Sequence, residues 1–150
     1  MLRRTPCVGI CSTTYGDLVC RGCKRFAHEI VQWNGFDEPQ RRAVWERLLA
    51  LRAGAVAALL AVDDHRRLLD AAEQLGLSGA VELAPENLLY ELLQRLQWRE
   101  QGLTLEQLGV RLLAADAAEP LPEELLAAID REYYRRSMAQ YERNYRIPAE

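Results

Sequence analysis

The spacing of apolar residues changes character near residue 24 of this chain. Phe26, Ile30 and Trp33 recur at the intervals of one helix face, which predicts a helix that starts at Lys24 or Arg25 and stops before Gly35. Residues 1–23 show no such period and contain turn-forming Pro and Gly at several positions. The chain is therefore expected to open with an irregular segment that leads into helix.

A second helix is predicted from a capping box, in which two residues three positions apart each bond the other's backbone N–H. Asp37 and Gln40 have this spacing. The apolar stripe that follows them consists of Val44, Trp45, Leu48 and Leu49. Residues 53–75 are rich in Ala and Leu, and they predict further helix that ends at Gly76.

The second half of the chain also predicts helices. Pro85 is suited to the first position of a helix, which would cover residues 86–101. Thr104 and Gln107 form a second capping box, for a short helix to about residue 114.

A linker over residues 115–120 precedes Pro122, which begins a final long helix to about Tyr145. The expected fold class is therefore all-α. We expect a small N-terminal four-cysteine metal knuckle within a module of residues 1–52, followed by a helical domain over residues 53–150.

All four cysteines lie within seventeen residues, in the spacing Cys7-x3-Cys11-x8-Cys20-x2-Cys23. Two close pairs joined by a turn-rich loop can place four sulfurs around one ion, and Zn²⁺ takes four tetrahedral thiolate ligands. Gly22, within the second pair, permits a positive φ that would turn backbone N–H groups toward the sulfur. A helix that begins just after Cys23 would lower the pKa of that thiol through its dipole. These four cysteines are the candidate metal ligands.

Zinc and an iron–sulfur cluster stay open as alternatives, because both accept four thiolates. A small closed loop without an open coordination position favours zinc. Disulfides and four ordinary thiols are weaker alternatives, since disulfides are rare in the cytoplasm and the cysteines are paired in spacing. The chain has no phosphate-binding loop, no HExxH sequence and no nucleophile elbow, so its motifs do not indicate an enzyme.

Further residues around and after the cysteines form a specific joint pattern. They are Pro6, Gly16, Arg21, Gly22, Lys24, Arg25, Glu29, Ile30, Trp33, Arg41, Val44, Leu48 and Arg52. With the cysteines, this pattern resembles a short bacterial domain of unknown function, number 1289 in its series, which is commonly labelled a predicted iron–sulfur or metal-binding protein. The resemblance implies the four cysteines as ligands, brings the two cofactor alternatives closer to equal, and implies no defined biochemical role. It covers about the first third of the chain.

Charge is divided unevenly along the sequence. Residues 1–52 carry nine Lys and Arg against five Asp and Glu, residues 53–130 carry five against fourteen, and residues 131–150 carry five against three. The two basic ends are candidates for contact with a partner or with phosphate groups.

The final helix carries a stripe of three tyrosines and one methionine on one face, Tyr134, Met138, Tyr141 and Tyr145, at intervals of four, three and four residues. A stripe of this kind usually packs on a core. The alternative is that it stacks on RNA bases or contacts a protein. The candidate contacts are Arg21, Lys24, Arg25, Arg135, Arg136, Tyr141 and Tyr145.

The sequence as a whole predicts a non-enzymatic metal-binding interaction module. A structural four-thiolate zinc site would support binding of an unidentified protein partner, or of RNA. The alternative is an iron–sulfur protein in electron transfer or redox sensing. No small-molecule substrate is evident.

The longest apolar stretch, residues 53–62, is too short to cross a bilayer. The N terminus lacks the apolar run of a signal peptide. We therefore expect a cytoplasmic protein without membrane contact.

Overall fold

The fold is mostly helical, with one small antiparallel sheet. The computed structural model describes residues 5–9, 11–77, 82–97, 103–114 and 118–145. Its elements are α1 (Ala27–Gln32), α2 (Glu38–Ala57), β1 (Leu60–Val62), α3 (His65–Gln74), α4 (Pro85–Leu96), β2 (Val110–Leu112) and α5 (Pro122–Tyr145), with short 3₁₀ helices over Ser12–Tyr15 and Trp33–Gly35.

Two compact units make up the chain. One comprises Arg52–Glu132; it is here called the acidic unit, because its sequence contains seven Lys and Arg against fifteen Asp and Glu. The other comprises Leu2–Leu51 and Tyr133–Glu150; it is called the cysteine unit, and its sequence contains all four cysteines and twelve Lys and Arg against seven Asp and Glu. One boundary between the two units lies between residues 51 and 52. The expected division into domains of residues 1–52 and 53–150 stays a prediction.

Residues 53–75 form a mostly helical stretch, as expected, in which α2 continues to Ala57 and α3 covers His65–Gln74. Strand β1 interrupts it, because Leu60 pairs with Leu112 and Val62 with Val110 in an antiparallel register. The expectation of a short helix after Thr104 is wrong. The capping hydrogen bonds between Thr104 and Gln107 form, but the chain then continues into β2, which pairs with β1. Short runs of Ala, Leu and Val fit helix or strand equally well, so pairing between distant residues decides.

Gly109 makes the sheet possible at its closed end. Its φ is +73°, in the region that favours glycine, and its carbonyl oxygen accepts the N–H groups of Asp63 and Asp64 at 2.8 and 3.0 Å. A Cβ atom at this position would overlap the carbonyl oxygen of Asp64 and lie 2.9 Å from its Cβ. Only glycine therefore fits between the strand and the start of α3.

Helix packing provides the core of the acidic unit. Helices α3 and α4 face each other with fully buried aliphatic side chains, which include Leu68, Leu88, Leu89, Leu92 and Leu93. Pro85 is the first residue of α4, as expected. The predicted end of this helix at residue 101 lies outside the described residues.

In the cysteine unit, the capping box of Asp37 and Gln40 is confirmed. Each side chain accepts the backbone N–H of the other at 2.9 Å, one residue before α2 begins at Glu38. The final helix is also confirmed, since α5 runs from Pro122 to Tyr145. Its residue Tyr133 is buried in this unit with Val19, Phe26, Trp33, Val44 and Leu48.

Helix α1 begins at Ala27, two or three residues later than expected. Residues Val19 and Phe26 form an isolated antiparallel bridge, and Lys24 has a left-handed φ of +67°, so the chain is extended or turned until Ala27. The Glu29 carboxylate accepts the N–H of Phe26 at 2.8 Å and thereby caps the helix.

Among the described residues, no helix has the length and apolar character of a membrane span.

Candidate metal centre

The Cys20-x2-Cys23 pair lies at the tip of a minimal hairpin. The Val19–Phe26 bridge forms its base. Cys20 then donates its backbone N–H to Arg25 at 3.0 Å and accepts the N–H of Lys24 at 2.9 Å. These bonds hold residues 20–25 in one tight loop, with both sulfurs buried.

The Cys20 sulfur is surrounded by hydrogen-bond donors. Burial alone would raise the pKa of this thiol, but the backbone N–H groups of Cys23, Ser12 and Gly22 and the thiol of Cys23 all bond to it. Together these donors outweigh burial and lower the pKa of Cys20 from 9.0 to about 7. The loop therefore stabilises a thiolate at Cys20.

The expectation that a helix dipole lowers the pKa of Cys23 is wrong. Helix α1 begins four residues beyond it, and burial raises the pKa of the Cys23 thiol. The guanidinium and backbone of Arg25 oppose this effect, because Nε of Arg25 lies 3.3 Å from the Cys23 sulfur. Arg25 also stacks over the ring of Trp33 at 4.9 Å, which fixes the guanidinium in place.

Lys24, rather than Gly22, carries the positive φ of the loop. Gly22 is not among the described residues with a positive φ, whereas Lys24 is the one described residue other than glycine that has one. A left-handed backbone costs a residue with a side chain about 1–2 kcal/mol. The buried Lys24 ammonium donates to the carbonyls of Arg21 and Gly22 at 2.6 and 3.0 Å, and it lies 5.1 Å from the centre of the Tyr133 ring.

The first cysteine pair is less enclosed than the second. The Cys7 sulfur is exposed and accepts the N–H of Gly9 at 3.4 Å. The half-buried Cys11 sulfur lies 2.8 Å from the Thr13 hydroxyl. Among the described residues, no three His, Cys, Asp or Glu side chains come together in a group that could hold a metal ion. The four-cysteine ligand set therefore stays a prediction.

Ser12 connects the two cysteine pairs, a role that the sequence spacing did not reveal. It follows Cys11 directly, its backbone N–H bonds the Cys20 sulfur, and its hydroxyl accepts the N–H of Arg21 at 2.8 Å. The residue next to one candidate ligand thus contacts another. Its burial, with only 9% of its surface exposed, is consistent with this structural position.

The candidate partner contacts differ widely in exposure. Arg21 has an exposed side chain that pairs with Asp17 at 3.3 Å and lies over the ring of Tyr134 at 4.8 Å. Lys24 and Arg25 are only 1% and 4% exposed, so their charged groups face the interior of the unit. On α5, Arg135 is exposed and Arg136 half-buried.

Tyr141 and Tyr145 belong to an aromatic cluster rather than to a free stripe. Their rings lie 5.2 and 5.5 Å from Phe26 in edge-to-face geometry, and Tyr145 also contacts His28 at 4.9 Å. Arg47 covers the Phe26 ring at 4.0 Å. The expectation that the tyrosine stripe packs on a core is consistent with this arrangement, although Tyr145 remains 48% exposed.

Arg47 also forms the buried ion pair of the unit, which sequence analysis did not find. Its guanidinium makes two bonds to the Glu29 carboxylate, one of them at 2.6 Å, across eighteen positions of sequence. Glu29 was noted only as part of a family pattern. A residue partner this distant gives no local signal.

The residues that form this site match a known family. Residues 5–52 match the family model described as a protein of unknown function, DUF1289. This confirms the resemblance noted from the sequence, over the same segment. Comparison of the whole chain with curated proteins and with solved structures found no match.

Within the DUF1289 segment, the residues that carried the resemblance have structural contacts. Arg41 donates to the carbonyl oxygen of Trp33 through Nε and an Nη atom, at 3.2 and 3.1 Å. The last matched residue, Arg52, instead donates to Asn87 at 2.8 Å and to Glu91 at 3.1 Å, both in the acidic unit to which it belongs. The family pattern thus includes residues whose contacts lie outside the cysteine loop, besides the cysteines.

Proposed function

We propose that the cysteine unit is a non-enzymatic metal-binding module in which Cys7, Cys11, Cys20 and Cys23 hold Zn²⁺. The observation that carries this proposal is the set of three backbone N–H groups, those of Ser12, Gly22 and Cys23, that bond the Cys20 sulfur. Such donors stabilise a thiolate, which is the form that ligates a metal ion. A four-thiolate zinc site is closed and supplies folding free energy rather than catalysis.

The donor set fits a thiolate metal site at the second pair. Cys20 and Cys23 are both buried. Backbone N–H groups bond the Cys20 sulfur, and the Arg25 guanidinium donates to the Cys23 sulfur. The exposure of the Cys7 sulfur leaves that residue accessible for ligation. Cys11 is adjacent to Ser12, whose N–H already bonds the Cys20 sulfur.

The role proposed for the module is binding of a protein partner. Large apolar side chains are exposed on the cysteine segment: Tyr15 is 91% exposed and Leu18 52%. Exposed aromatic and aliphatic residues in one short segment are typical of contact surfaces. RNA is the alternative partner, supported by the basic charge of the unit and by the exposed Arg21.

Metal content tests the first part of the proposal. Protein purified without oxygen should be colourless and contain one equivalent of zinc, and Cys20→Ser should lose it. His28→Ala is the matched control, because His28 is the histidine nearest to the cysteines in sequence but packs against aromatic rings. A reduced, folded preparation that binds neither zinc nor iron would refute the proposal.

An iron–sulfur cluster is the second candidate, favoured by the same donors, because hydrogen bonds to cysteine sulfur tune the potential of such clusters. Brown protein with visible charge-transfer absorbance and bound iron would select it over zinc.

Binding to RNA would show a steep loss of affinity with added salt. A partner surface that includes Tyr15 instead predicts that Tyr15→Ser weakens a protein complex with little dependence on salt.

A further inference from the structure

Two positive charges are buried directly beside the second cysteine pair. Lys24 is 1% exposed and Arg25 4% exposed, and both follow Cys23 in the chain. Burial of a cation is unfavourable unless a negative or strongly polar group accompanies it. The contacts that these two side chains make within the loop therefore bear on the charge of the cysteine site.

Arg25 has a direct answer in its geometry. Its Nε lies 3.3 Å from the Cys23 sulfur, and its guanidinium is held over the Trp33 ring at 4.9 Å. A hydrogen bond from a guanidinium is strongest when the acceptor is ionised. The Cys23 sulfur is thus the acceptor of this donor, and it would accept most strongly as the thiolate that ligates a metal ion.

Lys24 acts on the same loop from its backbone side. Its ammonium donates to the carbonyls of Arg21 and Gly22, the two residues that separate Cys20 from Cys23. The left-handed φ of +67° at Lys24 closes the loop, and the Lys24 N–H bonds the Cys20 carbonyl at 2.9 Å. A glycine would adopt this backbone more readily, so the lysine side chain offers something that glycine does not.

We infer that Lys24 and Arg25 are positioning residues that provide the internal counter-charge of the cysteine site. Four thiolates around Zn²⁺ leave a net negative charge, and these two buried cations beside Cys23 compensate it. They thereby favour the metal-bound site over the empty one. This inference rests on the zinc site proposed above.

Two substitutions of Lys24 separate its charge from its backbone geometry. Lys24→Met removes the charge and keeps the left-handed strain, whereas Lys24→Gly removes the charge and relieves the strain. The affinity for Zn²⁺ is measured in competition with a chromophoric chelator, and the spectrum of the Co²⁺ form reports thiolate ligation. Both variants should bind about 10- to 100-fold more weakly than the unaltered chain, as is usual when a residue that supports metal ligands is lost.

Arg25 has a matched control in Arg41. Both guanidinium groups lie over the Trp33 ring, at 4.9 and 5.7 Å, but Arg41 bonds carbonyl oxygens of Trp33 and Asn34 instead of a sulfur. Arg25→Met should weaken zinc binding by about 10- to 100-fold. Arg25→Lys should recover most of the affinity, and Arg41→Met should leave it unchanged.

Each outcome decides between the two proposals. If the unaltered chain binds no zinc, the proposed function fails, and the inference fails with it. If that chain binds zinc and the Lys24 and Arg25 variants bind it equally well, only the inference is overturned. Full affinity in Lys24→Gly with a loss in Lys24→Met would assign Lys24 a backbone role and overturn its role as a counter-charge.

Discussion

At the scale of single residues, the candidate site depends on competition between burial and hydrogen bonding. Cys20 and Cys23 are both buried, yet the pKa of Cys20 is lowered and that of Cys23 is raised. The difference lies in the number of donors, since three backbone N–H groups bond the Cys20 sulfur. Identical residues in one loop therefore differ in pKa because of the groups around them.

The first prediction concerns the titration of Cys20 in reduced, metal-free protein. The ultraviolet absorbance of thiolate should show one step near pH 7, and Cys20→Ser should abolish that step. Because the folded pKa lies below the unfolded value of 9.0, its contribution to stability is fully present above pH 9 and is lost as the pH falls through 7. The free energy of unfolding should thus rise by about 1–3 kcal/mol over this window. Thiolate absorbance that first appears near pH 9 would contradict this.

The second prediction concerns the buried pair of Glu29 and Arg47. Arg47→Met leaves a carboxylate that is 5% exposed without its guanidinium partner. The free energy of unfolding in urea should fall by about 3–5 kcal/mol, the usual result of leaving a buried charge unpaired. The control is Arg42→Met, since Arg42 is exposed on the same helix, and its effect should stay within about 0.5 kcal/mol. Equal effects would show that the pair adds little.

At the scale of elements, backbone pairing across the sequence decides where helix stops. Strands β1 and β2 are each three residues long and are separated by α3 and α4. Their ladder nevertheless replaces helix at both positions, supported by the bond from Leu113 N–H to the Leu59 carbonyl at 3.0 Å. The small sheet therefore joins the two ends of the acidic unit's helical segment.

The third prediction tests the glycine at the end of this sheet. Gly109 and Gly76 have nearly the same φ, +73° and +72°, but only Gly109 has atoms near the place of a Cβ. Gly76→Ala should cost about 1–2 kcal/mol for the left-handed backbone alone. Gly109→Ala should cost more by about 1–3 kcal/mol, because it also crowds Asp64 as overpacking does. Equal losses in chemical denaturation would show that the close approach is relieved without cost.

At the scale of the whole molecule, the two units carry opposite net charge. The cysteine unit has an excess of five positive residues and the acidic unit an excess of eight negative ones. The four cysteines, and any metal ion that they hold, belong to the unit with the positive net charge. Such a distribution is also a physical basis for selective contact with partners of different charge.

The fourth prediction is that metal removal loosens the cysteine unit first. After chelation, or in Cys20→Ser, amides of α1 should lose protection from hydrogen exchange, because the metal supplies their folding free energy. Amides of α4 should keep their protection, since the aliphatic core of α3 and α4 is independent of the cysteines. Undiminished protection of α1 after complete metal removal would contradict the prediction.

Local signals in the sequence were enough for several helix boundaries. The capping box at Asp37 and Gln40, the first position of Pro85 and the extent of α5 depend on residues within a few positions of one another. Such interactions are present in the chain before any tertiary contact forms. The family pattern of residues 5–52 was readable for the same reason, as a set of residue types at set spacings.

Tertiary structure alone decided the features that depend on distant partners. Strands β1 and β2 exist because residues some fifty positions apart share hydrogen bonds, and Arg47 finds Glu29 across eighteen positions. The positive φ lies at Lys24 instead of Gly22, within the loop that the Val19–Phe26 bridge closes. The spacing of the four cysteines predicts them as ligands. The fold is needed for two further features, because both depend on the removal of water: the hydrogen-bond donors that set the pKa of Cys20, and the burial of Lys24 and Arg25 beside Cys23.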